Sequence, residues 1–370
     1  MIYLDNAATT LPKPPPVRRA VAEALEKLGS LGRGGHSAAE LAAETAYACR
    51  AAAAELFDAL PEQVVFTMNC THGLNLAIRT LVSPGDRVVV SGFEHNAVLR
   101  PLVGVGAEIV TARGTLFDQN TALEALEVAL TDDTKAVVVN HVSNVFGFIQ
   151  PLESIAALCG QRGIPLIVDA AQSAGILPLS LRKLEAAFIA MPGHKGLYGP
   201  MGTGLLLCGR LPEPLIRGGT GSSSRSMEMP GYLPDRAEAG TQNVPGIAGL
   251  LAGLDFVQTR GTDAIAAHER LLKERLSASL VRIPGLRVFT SDKAQTGVLS
   301  FAAEALDCEI LGRRLAERDI AVRAGLHCAP LAHETAGTLD TGTVRVSFSA
   351  FSTQEDADCF AEAVGENVGR

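Results

Sequence analysis

Short apolar segments alternate with helical segments along much of this chain, and this alternation constrains the fold most strongly. The runs VVFT (64–67), DRVVVSG (86–92), KAVVVN (135–140) and IPLIVDAA (164–171) have the length of strands and few polar residues. Segments with a helical spacing of apolar residues, such as TALEALEVAL, lie between them. Strands that alternate with helices form βαβ units, and continuous apolar strands are buried on both faces. The sequence therefore predicts an α/β fold around a mostly parallel central sheet.

The remaining segments predict a second domain. Two further runs, FIAMPGHKG and MGTGLLLCG, extend the alternating pattern, and the stretch 212–246 is so rich in Gly, Pro and Ser that we expect a functional loop. A long helical pattern over 247–282 then leads to GVLSFAAE and TVRVSFSAF, which indicate a smaller C-terminal α+β domain. We expect a large domain at 15–246 and a small domain formed by 1–14 and 247–370.

The composition argues against several classes of partner. Of 370 residues 47% are hydrophobic, and the net charge is -8 without any block of Lys or Arg. Nucleic acids and anionic membrane surfaces need basic patches, so we expect neither and favour a small-molecule ligand. We see no secretory signal and no apolar run of the roughly 20 residues that span a bilayer, so we expect a cytoplasmic protein. Seven cysteines without a CxxC pair indicate reduced thiols and no metal site.

Three polar residues follow predicted strands, at the sheet edge where α/β folds bind ligands. Thr71 opens a helix, whose free N–H groups favour an anion such as phosphate, although a simple helix cap also explains Thr71 alone. Asp169 ends the run LIVD, where a carboxylate can pair with a protonated ring nitrogen or cap a helix. Lys195 lies between two glycines, and a buried lysine amine can bond to an aldehyde. Together they meet the requirements of pyridoxal 5'-phosphate (PLP).

Nine motifs make the sequence resemble the cysteine desulfurase family of class V, fold-type I PLP enzymes. The motifs are YLDNAATT (3–10), CTHGLN (70–75), EHNA (94–97), NVFG (144–147), VDAAQ (168–172), GHKGLYGP (193–200), EAGTQN (238–243), RAGLHCAP (323–330) and TVRVSFSAF (343–351). Single motifs of this kind occur by chance, whereas nine in family order hardly do. The resemblance implies the fold of a fold-type I PLP-dependent transferase, with the large domain binding the cofactor.

The resemblance also implies which residues hold the cofactor ring. Lys195 bonds to the cofactor aldehyde and acts in catalysis, and Asp169 pairs with the pyridine nitrogen. Gln172 contacts the phenolic oxygen, His95 stacks on the ring and takes part in catalysis, and Asn144 contacts cofactor or substrate. These roles are chemically coherent, because a pyridinium draws electrons from the substrate α-carbon and a freed lysine can move protons.

The phosphate site implied by the resemblance combines two subunits. Thr71 and His194 hold the phosphate, and Thr241 joins them from the neighbouring subunit of a homodimer. His72 is included among the expected cofactor-binding residues. The sequence departs from the family pattern at Pro192, where relatives commonly carry a hydroxyl residue before GHK. One phosphate hydrogen bond is therefore missing or supplied by another group.

The substrate side of the implied site consists of two arginines and a cysteine. In the family, the arginine at position 345 grips the substrate α-carboxylate with its bidentate fork, and Arg323 is expected beside Arg345. Cys328 is expected to attack the substrate sulfur, with a pKa lowered by His327 and Arg323. The short RxGxHCA arrangement resembles the SufS-like, group II branch, whose cysteine often needs an acceptor protein to withdraw the sulfur. We expect structural roles for the other cysteines.

These expectations describe a homodimeric, PLP-dependent cysteine desulfurase. It converts L-cysteine to L-alanine and leaves a persulfide on Cys328, which supplies sulfur for iron–sulfur cluster assembly or other sulfur transfer. Two alternatives stay open: a selenocysteine lyase or another class V lyase or transaminase, and a non-catalytic scaffold that binds cofactor or a sulfur-transfer partner. The complete set of site residues speaks against the scaffold. His333 and Glu334, after the cysteine loop, are expected to be solvated loop residues, with acceptor docking as the alternative.

Overall fold

A seven-stranded sheet forms the centre of the computed structural model, which describes residues 1–32 and 34–368. In spatial order its strands are β2 (Val64–Thr67), β8 (Gly204–Cys208), β7 (Phe188–Pro192), β6 (Leu166–Asp169), β5 (Thr134–Asn140), β3 (Arg87–Ser91) and β4 (Glu108–Ala112). Strand β8 runs antiparallel to both neighbours, and the other pairs are parallel. The mostly parallel sheet predicted from the sequence is therefore confirmed.

Helices cover both faces of this sheet. One face packs against α3 (Cys70–Leu81) and α4 (Asn96–Val105). The other packs against α2 (Ser37–Leu56), α5 (Gln119–Ala129), α6 (Leu152–Gln161), α7 (Leu181–Leu184) and α8 (Val244–Arg260), and α1 (Pro15–Lys27) lies against α8. Val88 and Val90 pack on the face covered by α3 and α4, and Val89 packs on the opposite face, because successive side chains of a strand point to opposite faces. This burial on both sides explains the continuous apolar runs of the strands.

A smaller antiparallel sheet lies in the C-terminal part of the chain. Its strands, in spatial order, are β12 (Arg323–Gly325), β13 (Thr343–Ser347), β10 (Val298–Ala303) and β9 (Leu286–Phe289). Helices α9 (Thr262–Leu280), α10 (Cys308–Ala316) and α12 (Gln354–Val368) share one buried cluster with it, and α11 (Pro330–Ala336) follows the cysteine loop. Strand β1 (Ile2–Tyr3) pairs in parallel with β11 (Ile320–Ala321). The N-terminal residues therefore pack with the C-terminal region.

The helical pattern expected over 247–282 forms two helices, α8 and α9, which are separated by Gly261. This residue has a φ of +81°, a left-handed backbone conformation that favours glycine and ends α8. Ile247 and Leu250 of α8 pack in the core beside the large sheet, whereas Leu272 of α9 packs with the small sheet. The domain boundary at residue 246 stays a prediction, and α8 itself packs with the large sheet.

The connection between β8 and α8 is irregular, as its composition predicts. It contains one short 3₁₀ helix, Asp235–Ala237. Within the described ranges, none of the helices combines the length and the apolar character that crossing a membrane requires.

Candidate active site

The ends of β5, β6 and β7 meet the beginning of α3 at one pocket. Asp169 is the last residue of β6, and Lys195 follows the end of β7 in a loop. The predicted site residues that line this pocket are Thr71, His95, Asn144, Asp169, Gln172, His194 and Lys195. The structure thus brings together every residue expected around the cofactor ring and part of the expected phosphate site.

Lys195 is held in a tight loop that closes back on itself. The backbone N–H of Gly199 donates to the carbonyl of Gly193 at 2.7 Å. Gly175, at a φ of +81°, packs against the loop, and a Cβ there would lie 2.2 Å from the Gly196 carbonyl oxygen. Only glycine fits at this position, so the close approach of two backbones fixes the loop that carries Lys195.

Lys195 is half-buried, Asp169 is buried, and both line the same pocket. Burial lowers the pKa of the Lys195 amine, and the nearby Asp169 charge opposes this shift. Oδ1 of Asp169 accepts hydrogen bonds from the Ala171 N–H at 2.9 Å and from the Cys70 thiol at 3.4 Å. Burial raises the pKa of Cys70 well above its usual value, so the thiol stays neutral and can donate. With both bonds made to Oδ1, the carboxylate is oriented and Oδ2 is available to a ligand.

Two further side chains orient the pocket wall. Nδ1 of His95 accepts from the Ala97 N–H at 2.9 Å, which caps α4 and leaves the ring proton on Nε2. Burial lowers the pKa of His95, so the ring is neutral. Gln172 donates through Nε2 to the carbonyl of Ala7 at 3.0 Å, which ties the pocket to the N-terminal segment.

The helix start at Thr71 is free to bind an anion. Asn69, not Thr71, caps α3, because its Oδ1 accepts from the His72 N–H at 2.9 Å. Nδ1 of His194 is buried and has no hydrogen-bond partner among the described residues, and burial lowers the pKa of His194 to about 4. His72 and Thr241 do not line this pocket. Both border a separate cavity between β2, β8 and α8.

Arg345 and Arg323 are direct neighbours across β12 and β13, and both bind Asp5. Nη2 of Arg345 donates to Oδ1 of Asp5 at 2.8 Å, and Nη2 of Arg323 donates to Oδ2 at 2.9 Å. Nη1 of Arg345 also donates to the backbone carbonyl of Asn144 at 3.1 Å. Arg345 is not among the residues that line the pocket, but it contacts the backbone of Asn144, which is.

The loop that carries Cys328 is tied to the same pocket. His327 and Cys328 have φ values of +51° and +56°, an unusual pair of left-handed residues with side chains. Nδ2 of Asn144 donates to the His327 carbonyl at 2.8 Å, and the Asn96 N–H donates to the Cys328 carbonyl at 2.8 Å. Asn96 directly follows His95. Of the seven cysteines, Cys328 is exposed and Cys359 is half-buried, and the others are buried.

The His327 ring does not supply the positive charge that was expected beside Cys328. The His327 ring is buried, its Nε2 lies 3.1 Å from Oγ1 of Thr343, and it stacks on His333 with ring centroids 5.6 Å apart. Burial lowers the pKa of His327 well below its usual value, so the neutral ring offers no positive charge to a thiolate. His333 is not a solvated loop residue either, because it is completely buried, while Glu334 pairs with an arginine at the surface.

Comparisons with known proteins assign the family. The class V aminotransferase family model matches residues 2–360. A probable cysteine desulfurase of Methanothermobacter thermautotrophicus is 33% identical over 383 residues, which cover 100% of this chain and 95% of that protein. A probable cysteine desulfurase of Pyrococcus abyssi is 33% identical over 387 residues, covering 100% of this chain and 94% of that protein. The chain belongs to the cysteine desulfurase family.

Solved structures agree with this assignment. An apo cysteine desulfurase from Thermococcus onnurineus has a TM-score of 0.91 and 31% identity, covering 99% of this chain and 94% of that one. The cysteine desulfurase CsdA of Escherichia coli has a TM-score of 0.86 and 28% identity, covering 100% of this chain and 94% of that one. The family membership and fold-type I architecture expected from nine motifs are confirmed, and the group II branch stays a prediction.

The sequence reasoning missed three residues at this desulfurase-family site. Asp5 lies in the quoted motif YLDNAATT but received no role, because its partners are 318 and 340 positions away. Cys70 was expected to have a structural role only, and its bond to Asp169 had no local signal. Lys13 donates to the His194 carbonyl at 2.9 Å, and burial lowers the pKa of Lys13 to about 8.

Proposed function

We propose that this family member is a PLP-dependent cysteine desulfurase that converts L-cysteine to L-alanine and leaves the sulfur as a persulfide on Cys328. One observation carries the proposal: Asn144 lines the pocket of Lys195 and donates to the carbonyl of His327 at 2.8 Å. This bond supports a site in which an aldehyde-binding amine and the thiol of the next residue act on one substrate.

The pocket residues fit PLP. The Lys195 amine suits the aldehyde, because burial lowers its pKa, and Oδ2 of Asp169 suits the ring nitrogen. The start of α3 at Thr71 and the unpartnered Nδ1 of His194 suit a phosphate, since they offer donors to an anion. Pro192 lines the pocket without a hydroxyl, so the phosphate would depend on these other donors. When bound, the cofactor would supply an electron sink for the substrate α-carbon.

The chain's own residues would bind the substrate and move protons. The Lys195 amine would act as general acid and base at the substrate carbons. Neutral His95 holds a proton on Nε2, where it can donate to a bound group. Nε of Arg345 is buried without a partner in the described part of the chain, so it can donate to the substrate α-carboxylate.

The transfer of sulfur from the substrate to Cys328 needs no outside oxidant. Its thiolate attacks the substrate sulfur, an S–S bond forms, and the bond between that sulfur and the β-carbon breaks. The bonding electron pair stays with the β-carbon, which takes up a proton to become the methyl group of alanine. L-cysteine and the Cys328 thiol thus give L-alanine and a Cys328 persulfide. Because Cys328 is exposed, a sulfur-acceptor protein can reach that persulfide.

We also propose a homodimer in which Thr241 serves the phosphate site of the neighbouring subunit. Thr241 borders a separate cavity with His72, away from this chain's own Lys195. This separation supports a role for Thr241 toward another copy of the chain.

The test compares wild type with Cys328→Ser and with a matched control, Cys359→Ser. We expect a yellow protein that releases alanine from L-cysteine and loses this activity in Cys328→Ser, while Cys359→Ser keeps it. Visible absorbance and an alanine assay provide the two measurements. Alanine release that is unchanged in Cys328→Ser would overturn the persulfide route. Selenocysteine turnover that survives in Cys328→Ser would indicate a lyase. A colourless protein that takes up no PLP would overturn the enzyme proposal.

A further inference from the structure

Asp5 is a buried carboxylate to which the proposed mechanism assigns no role. It is 8% exposed and lies just after β1. The next two residues fasten it to β13, because Asn6 donates through Nδ2 to the Ser347 carbonyl and the Ala7 N–H donates to Ser347 Oγ, both at 2.8 Å. The backbone around Asp5 is therefore fixed beside Arg345.

Asp5 binds two arginines, and the shortest bond from each goes to a different oxygen. Oδ1 accepts from Arg345, whose side chain is 3% exposed, and Oδ2 accepts from Arg323, whose side chain is 51% exposed. Two guanidinium charges and one carboxylate charge leave a net charge of one positive unit in this cluster. That charge matches one substrate carboxylate.

The hydrogen bonds decide which donors remain for a ligand. Nη2 of Arg345 binds Asp5 and Nη1 binds Asn144, whereas Nε is buried without a partner among the described residues. For Arg323, Nε donates to Asp5 at 3.1 Å and Nη2 at 2.9 Å, so one whole edge of its fork is occupied. Arg345 can therefore bind a substrate carboxylate while Arg323 is withheld.

We propose that Asp5 is a specificity-determining residue, which limits the site to amino acids with a single carboxylate by holding Arg323 and neutralising one of the two arginine charges. An acidic side chain of a competing amino acid would need the Nε/Nη2 edge of Arg323, and Asp5 already occupies that edge. This inference rests on the proposed function, because it names the charge class of the substrate.

The experiment measures binding by calorimetry, with L-alanine and L-aspartate as probes and the PLP-loaded protein as the target. Wild type should bind L-alanine more tightly than L-aspartate. In Asp5→Asn the affinity for L-aspartate relative to L-alanine should rise at least tenfold, since Arg323 is released and the net charge of the cluster rises to two. In the double variant Asp5→Asn/Arg323→Gln, the net charge returns to one and the wild-type ratio should return.

Controls separate this inference from folding and from the proposed reaction. Thermal unfolding and visible absorbance report whether each variant is folded and loaded. Arg323→Gln alone retains Asp5, so the cluster becomes neutral and L-alanine binding should weaken several-fold. This variant keeps the inference testable if Asp5→Asn does not fold. A ratio unchanged within twofold in Asp5→Asn, or a shift that persists in the double variant, would overturn it. A wild type that binds L-alanine but makes none from cysteine would refute the proposed function alone.

Discussion

The buried ion pair of Arg50 and Glu238 connects α2 to the long loop before α8, and its removal should strongly destabilise the protein. The two side chains are 10% and 6% exposed, and they form two hydrogen bonds of 2.8 and 2.6 Å. Arg50 also donates to the carbonyl of Val64, and its guanidinium lies 4.1 Å from the centre of the Phe66 ring. Among the described residues, the variant Arg50→Ala would leave the buried Glu238 carboxylate with the Phe66 N–H as its one remaining donor.

The expected cost follows from this burial. Removing one partner of a buried pair leaves an uncompensated charge and costs about 3–5 kcal/mol. We expect the upper part of this range, because the bond to Val64 and the contact with Phe66 are lost as well. Replacing both partners with apolar residues, as in Arg50→Met/Glu238→Leu, should recover most of the loss, since no buried charge then remains.

The assay is urea unfolding followed by circular dichroism at two pH values. Burial raises the pKa of Glu238, and Arg50 opposes that shift, so the pKa rises further in Arg50→Ala. A raised carboxyl pKa means that stability is present when the group is protonated and is lost as the pH rises through that pKa. The deficit of Arg50→Ala should therefore be smaller in mildly acidic buffer than at neutral pH.

A surface pair provides the matched control. Arg275 binds Asp358 with bonds of 2.6 and 2.7 Å, similar in length to those of Arg50, but both side chains are more than 40% exposed. Arg275→Ala should lose far less stability, because exposed ion pairs are screened by water. Equal losses in the two variants, or a deficit of Arg50→Ala that does not depend on pH, would refute the reasoning from burial.

Two further predictions concern groups around the pocket. Cys70→Ala should weaken PLP retention, which is measured by absorbance during dialysis. Cys70→Ser should preserve retention, because a hydroxyl can replace the thiol as donor to Asp169. Equal retention in the two variants would exclude a role for this hydrogen bond. Burial raises the pKa of Glu94 to about 8, so wild type should lose more stability than Glu94→Gln as the pH rises from 4.5 to about 8. Their difference in unfolding free energy should grow across that window, and a constant difference would contradict a buried, titrating Glu94.

The central sheet could be predicted because its signal is local. The runs that contain Val88, Val89 and Val90 are buried on both faces, and such burial leaves an uninterrupted apolar pattern in the sequence. Asp169 and Lys195 could also be identified from the sequence, since residues at the ends of parallel strands share one edge of the sheet.

Other features depend on tertiary contacts that leave no local pattern. The segment around His327 and His333 contains polar residues and suggests a solvated loop, yet packing buries both rings. The bonds of Asp5 join positions 318 and 340 residues apart, which no spacing rule detects. The helical pattern over 247–282 continues across Gly261, although this glycine has a φ of +81° and separates α8 from α9.

The parallel pairing of β1 with β11 has a consequence for the order in which the site is completed during synthesis. A ribosome makes Asp5 early, but both of its arginine partners appear only after most of the chain has been translated. Until then the carboxylate has no guanidinium to bind, and a nascent chain with an intact Lys195 loop lacks Arg345 to hold a substrate. The substrate site is therefore completed only after Arg323 and Arg345 have been made and have met Asp5.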